Sequence, residues 1–165
     1  MLRQLTMAPR SRAQLAAKLA ERGADESVAQ RVLDRFEDVG LVDDAEFAAM
    51  LVRSQQASRG LGRRALAHEL RRKGVDDETA REALEQVADD DEWATARSLV
   101  ARRLPSTRGL PRERRTARLA GLLARKGYPS GLAMRVVREA LDAEEGDRAD
   151  DVHGPIDGGD LSEAD

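Results

Sequence analysis

Leu66-Ala67-His68-Glu69-Leu70-Arg71-Arg72-Lys73-Gly74-Val75-Asp76 reads as the end of one helix, a turn and the cap of the next. Leucines four apart share a helix face. Gly74 supplies the left-handed residue that closes such a helix, and Asp76 is an N-cap for a second. The pattern occurs three times, at Leu15/Leu19/Gly23, Leu66/Leu70/Gly74 and Leu119/Leu123/Gly127. Its second half is copied too: Val32, Leu33 and Phe36 follow the first glycine at the spacing of Ala83, Leu84 and Val87 after the second and Val136, Val137 and Ala140 after the third. One supersecondary unit has been repeated along the chain, which makes the fold all-α.

The chemistry of the helix starts agrees with these boundaries. Ser11 with Gln14 makes a capping box, Asp25 and Asp76 cap the second helices, and Pro129-Ser130 takes that place in the third unit. A further helix precedes two of the pairs, opening at Asp43 with Glu46 and at Asp89 with Glu92, both at capping-box spacing. Phe47 and Trp93 then fall at equivalent inward positions and anchor each helix to its pair. By the same phase Met1–Met7, with Leu2, Leu5 and Met7 apolar, is the first helix of the first unit, short enough to need its neighbours. The expected architecture is an elongated array of three tandem three-helix repeats, residues 1–38, 39–88 and 89–142, followed by a disordered acidic tail over 143–165.

Composition narrows the function. Aromatic residues are only 2% of the chain while 41% is apolar, so the cores must be built from Ala, Leu and Val. With no cysteine and only His68 and His153, neither a thiolate nor a multi-histidine metal site is available, and no cofactor is expected. No run of about 18 apolar residues suggests a membrane span, so a cytoplasmic protein is the expectation. The net charge of -3 hides a division. Asp142–Asp165 carries ten acids and one base, whereas residues 1–141 hold 27 Lys/Arg against 21 Asp/Glu, a net +6 that favours an acidic partner.

No catalytic constellation is present: there is no nucleophile with a base at a defined spacing, no phosphate loop and no nucleophile elbow, so an enzyme is not expected. Carboxylates such as Asp76-Asp77-Glu78 sit at helix starts, where capping accounts for them. What stands out is arginine in the connections. Arg53, Arg59, Arg63 and Arg64 span a stretch without an acid, ahead of Arg71, Arg72 and Lys73; the second connection has Arg102, Arg103, Arg108, Arg112, Arg114 and Arg115, ahead of Arg125 and Lys126. Forked guanidinium groups suit carboxylate or phosphate. Stacking aromatics for single strands are lacking, and the second helices offer few side chains for reading base edges.

Gly40-Leu41-Val42-Asp43-Asp44-Ala45-Glu46-Phe47-Ala48, then Val52-Arg53, Arg59-Gly60 and Glu69-Leu70-Arg71-Arg72-Lys73-Gly74-Val75, resemble the signature of the RecX family. Pro9–Leu15 and Ala124–Pro129 resemble its flanking motifs, and the likeness covers residues 1 to about 141. The resemblance implies tandem three-helix repeats that lodge in the groove of the RecA filament on single-stranded DNA. There they interfere with filament growth, ATP turnover, strand exchange and co-protease activity. It implies a monomer without a catalytic site, regulating recombination, DNA repair and the SOS response. Arg53, Arg59, Arg63, Arg64, Arg71, Arg72 and Lys73, with Arg125 and Lys126 from the third unit, are the expected contacts. The other reading of the basic body is a helical module that grips DNA phosphates without RecA; under the first reading any direct DNA contact is weak.

Overall fold

In the computed structural model, which describes residues 9–152, the repeat is visible as helices in the order α1 (Arg12–Glu21), α2 (Glu26–Asp38), α3 (Asp44–Arg59), α4 (Arg63–Arg72), α5 (Asp77–Glu85), α6 (Asp89–Arg103), α7 (Arg112–Arg125) and α8 (Ser130–Val152). A 3-10 turn, Leu104–Thr107, joins α6 to α7, and the described residues contain no strand. The helix expected over Met1–Met7 lies outside the described residues, as does the end of the acidic segment after Val152.

The three recurring glycines close α1, α4 and α7 in the same way. Gly23, Gly74 and Gly127 have φ of 75°, 77° and 88°. In each, the residue after the glycine donates to the carbonyl of the second leucine, Ala24 to Leu19, Val75 to Leu70 and Tyr128 to Leu123, all at 3.1 Å. Each glycine N–H also donates three residues back, which completes a Schellman closure. The caps behave as their chemistry requires. Ser11 and Gln14 form a reciprocal capping box, Asp25 and Asp76 each accept two backbone N–H groups, and Asp43 accepts from Glu46 at 2.9 Å.

Asp89 and Glu92 do not form the cap their spacing suggested. Ala88 holds the N-cap position of α6 without a side-chain hydrogen bond, and Glu92 is buried. Both carboxylates turn instead to Arg63: Asp89 lies 2.6 Å from its guanidinium, and Glu92 accepts its backbone N–H at 3.0 Å. A cross-helix partner with both charge and a free N–H outcompetes a local cap. Phe47 is buried as expected, whereas Trp93 is half-buried against the third core with the Arg135 guanidinium 5.1 Å above its ring.

Three apolar clusters fill the units. Leu15, Leu33 and Val42 make the first, Phe47 to Val87 the second and Ala96 to Leu141 the third. The repeated leucines Leu66, Leu70, Leu119 and Leu123 are wholly buried, each contributing on the order of 1.5–3 kcal/mol of apolar transfer.

Polar contacts at the turns join the units. The Ser11 hydroxyl donates to the Lys73 carbonyl, tying the start of α1 to the turn after α4. Gly62 N–H donates to the Lys126 carbonyl at 2.8 Å, tying the start of α4 to the turn after α7. The second junction is thus built like the first, one unit along. Tyr128 reinforces it by donating its hydroxyl to the Gly60 carbonyl at 3.0 Å, and burial beside Glu92 pushes that phenol up to about 12.

The acidic segment departs from the expectation of a disordered tail beginning at residue 143, because α8 continues to Val152. Its first carboxylates are not left to solvent. Glu144 pairs with the buried Arg115 and lies 2.8 Å from Arg108, while Asp142 and Glu145 both pair with Arg112. Those arginines hold Glu144 below the usual carboxylate range. Ion pairing to α7 carries a helix whose sequence has little apolar surface to bury there.

Candidate anion-binding surface

Eight of the nine expected cations gather at the two ends of α4, a helix about 15 Å long; only Arg53 stands apart, on α3. At its C-terminal end are Arg71, Arg72 and Lys73, beside the junction with the first unit. Arg71 lies 3.1 Å from Asp77 and Arg72 lies 2.8 Å from Glu69, pairs in which both arginines are well exposed, so water weakens the attraction. Lys73 is half-buried, and its carbonyl receives Ser11.

At the N-terminal end the second junction brings together Arg59, Arg63, Arg64, Arg125 and Lys126. Lys126 reaches across units to donate its ammonium to the Arg59 carbonyl at 2.6 Å, and Arg64 N–H donates to the Gly127 carbonyl at 3.3 Å. Arg59 is held by Gln55 at 3.2 Å and lies 3.8 Å from Glu69. Arg53 stands on the exposed face of α3, six residues before Arg59. Arg53, Arg64, Lys73, Arg125 and Lys126 take part in no ion pair among the described residues.

Arg63 differs from the rest. Its guanidinium meets Asp89, Glu92 and the Val87 carbonyl, so its hydrogen-bonding capacity goes into holding α6 against α4. The second arginine-rich connection differs in the same sense, since Arg108, Arg112 and Arg115 are neutralised by α8. Proximity to α8 was invisible in the sequence, where these side chains are separated by about 30 residues. Arg102 is the opposite case: a member of that connection left out of the expected contact set, it is exposed and bonded only to the Ser98 hydroxyl at 3.2 Å.

This surface can hold oxyanions by forked and charge-assisted hydrogen bonds, and nothing in it activates a nucleophile. Among the described residues, no helix is long and apolar enough to cross a membrane.

Comparison with known proteins matches the three units to the three domains of one family. The RecX first three-helix domain matches residues 1–36, the second residues 43–84 and the third residues 89–137. The chain is 57% identical over 143 residues to the regulatory protein RecX of Thermobifida fusca, covering 87% of this chain and 77% of that one. It is 54% identical to the protein of the same name from Streptomyces coelicolor, with 87% and 76% covered. Among solved structures, a regulatory protein RecX superposes with a TM-score of 0.75 at 25% identity over 82% of this chain and 67% of that one. RecX from Lactobacillus salivarius gives 0.79 at 20% identity over 84% and 90%, a likeness of fold.

Proposed function

The chain belongs to the RecX family, and from that premise we propose that it regulates the RecA recombinase by seating on the RecA filament on single-stranded DNA, lowering ATP turnover, strand exchange and co-protease activity. The observation that carries this reading is the placement of cations at both ends of α4, each set beside a hydrogen-bonded junction between units. Charges fixed on a scaffold at set spacing favour a repetitive acidic partner, because little side-chain entropy is lost when each is met. The reading makes the protein a cytoplasmic monomer that works by contact and has no turnover of its own.

The test is RecA ATPase on single-stranded DNA, titrated with this protein, alongside the protein's own DNA binding in the same buffer. Inhibition well below the concentration needed to bind DNA is the expected result. Unchanged ATPase and strand exchange at saturating protein would refute it. The second reading, a DNA-binding module that needs no RecA, is favoured by the five expected cations without ion-pair partners among the described residues; it requires tight DNA binding with a steep salt dependence in the absence of RecA.

A further inference from the structure

Between the end of α3 and α6 runs a groove of about 570 Å³ that receives three cations from three elements: Arg59 at the end of α3, Arg102 near the end of α6, and Lys126 from the turn after α7. Hydroxyl groups of Ser58, Thr95 and Ser98 line the same groove, and no carboxylate does. Each cation is held in place by a neutral acceptor. Lys126 donates to the Arg59 carbonyl at 2.6 Å, Arg102 to the Ser98 hydroxyl at 3.2 Å and Arg59 to Gln55 at 3.2 Å. Among the described residues, the one carboxylate within 4 Å of any of them is Glu69, 3.8 Å from Arg59 and outside the lining. Neutral anchors fix the position of Arg102 and Lys126 while leaving their charge without a carboxylate, and Arg59 is met only by the long contact to Glu69.

The repeat does not by itself produce such a groove. The groove beside the first junction is lined by Arg12 together with Glu37, Asp43, Asp44 and Asp76. Three like charges along one groove repel one another, so the arrangement costs the folded protein some stability that an anionic occupant would restore.

We infer that this groove is a binding site for the phosphodiester backbone of a nucleic acid, with Arg59, Arg102 and Lys126 as its phosphate contacts. As the biological occupant we take the DNA strand of the filament, an assignment that rests on the reading above. Backbone contact follows from the lining: it has no aromatic side chain on which a base could stack, and Leu99 is its only large apolar residue, too little to anchor a peptide. The site therefore grips without regard to sequence.

The test is the affinity of the full-length protein for a fluorescent dT20 oligonucleotide between 20 and 200 mM NaCl. Wild type is compared with Arg59→Gln/Arg102→Gln and with Arg31→Gln/Arg35→Gln, which removes the same charge from exposed positions on α2. The groove variant is expected to lose about tenfold in affinity at low salt. Its log–log salt slope should be shallower by about 1.4, the value for two lost contacts to a single strand, with the α2 variant close to wild type. Equal losses in both variants, no loss in either, no measurable binding by wild type at 20 mM salt, or competition by poly-glutamate as strong as by unlabelled dT20 would each overturn the inference. Circular dichroism checks the fold; if the double variant is unfolded, Arg102→Gln alone, whose exposed guanidinium donates to Ser98, should lower the slope by about 0.7. RecA ATPase is measured separately: its failure to respond to wild type would end the filament reading while the salt slope still decides the groove.

Discussion

Replacing each of the three closing glycines by alanine should separate the cost of a turn from the cost of a junction. Gly23, Gly74 and Gly127 share one backbone conformation and one hydrogen-bond pattern, so the left-handed penalty is common to all three. It amounts to roughly 1–2 kcal/mol, less about 0.4–1 kcal/mol from the stiffer unfolded chain. What differs is the space beyond. A Cβ on Gly23 meets nothing within 4 Å, whereas on Gly74 it would approach Ala13 closer than 3.0 Å, and on Gly127 it would fall 2.5 Å from the Ala65 Cβ with the Ala65 backbone equally close. Relieving such overlap requires α1 or α4 to move as a whole, at about 1–3 kcal/mol for overpacking. Urea denaturation of the full chain should therefore give Gly23→Ala a loss of about 1 kcal/mol and the other two about 2–4 kcal/mol. Equal losses at the three positions would refute the argument that adjacent units are packed backbone to backbone.

Other perturbations address the ion pairs and the surface. Glu144→Gln should cost about 2 kcal/mol at pH 7, because it leaves the buried Arg115 without its carboxylate. Since the folded-state pKa of Glu144 is depressed, this stabilisation is complete above the ordinary carboxylate range and is lost as pH falls through the folded value, so urea midpoints of variant and wild type should converge as the pH is taken below the carboxylate range. Tyr128→Phe should cost about 1 kcal/mol through the lost bond to Gly60. It should also remove a loss of stability that sets in above about pH 10, where the unfolded phenol ionises before the folded one near 12; denaturation midpoints from pH 8 to 11 would show it. Arg53→Glu with Arg64→Glu, both exposed, should leave helicity unchanged by circular dichroism and weaken RecA inhibition at least tenfold.

Local chemistry was legible in the sequence at most of the places where it repeated, the Asp89–Glu92 cap being the exception. The glycines, the Asp25 and Asp76 caps, the Ser11–Gln14 box and the buried leucines all follow from side chains acting within one turn of their own position. What escaped was every charge whose partner is distant along the chain. Glu92 has the spacing of a cap and is a strut for Arg63, 29 residues away. Glu144 belongs to a stretch whose composition reads as solvated, yet it sits against Arg115, 29 residues before it. Runs of arginine are equally ambiguous: Arg102 and Arg112 belong to the same run, but one faces a groove without carboxylates and the other faces two of them.

The pairing of α8 with α7 also bears on which half of the basic body is available to a partner. The two arginine-rich connections look alike as sequence, and if both were open the cationic surface would extend from the second unit through the third. With Asp142, Glu144 and Glu145 occupying Arg108, Arg112 and Arg115, the second connection contributes Arg102, Arg103 and Arg114 to the exposed set while the paired three serve the fold. An acidic partner arriving there would have to displace intramolecular carboxylates already in place. At the junction of the second and third units, Arg102 and Lys126 have no carboxylate partner among the described residues, and Arg59 has only Glu69 at 3.8 Å. The acidic start of the α8 extension thus commits Arg108, Arg112 and Arg115 to the fold, without changing the repeat that builds it.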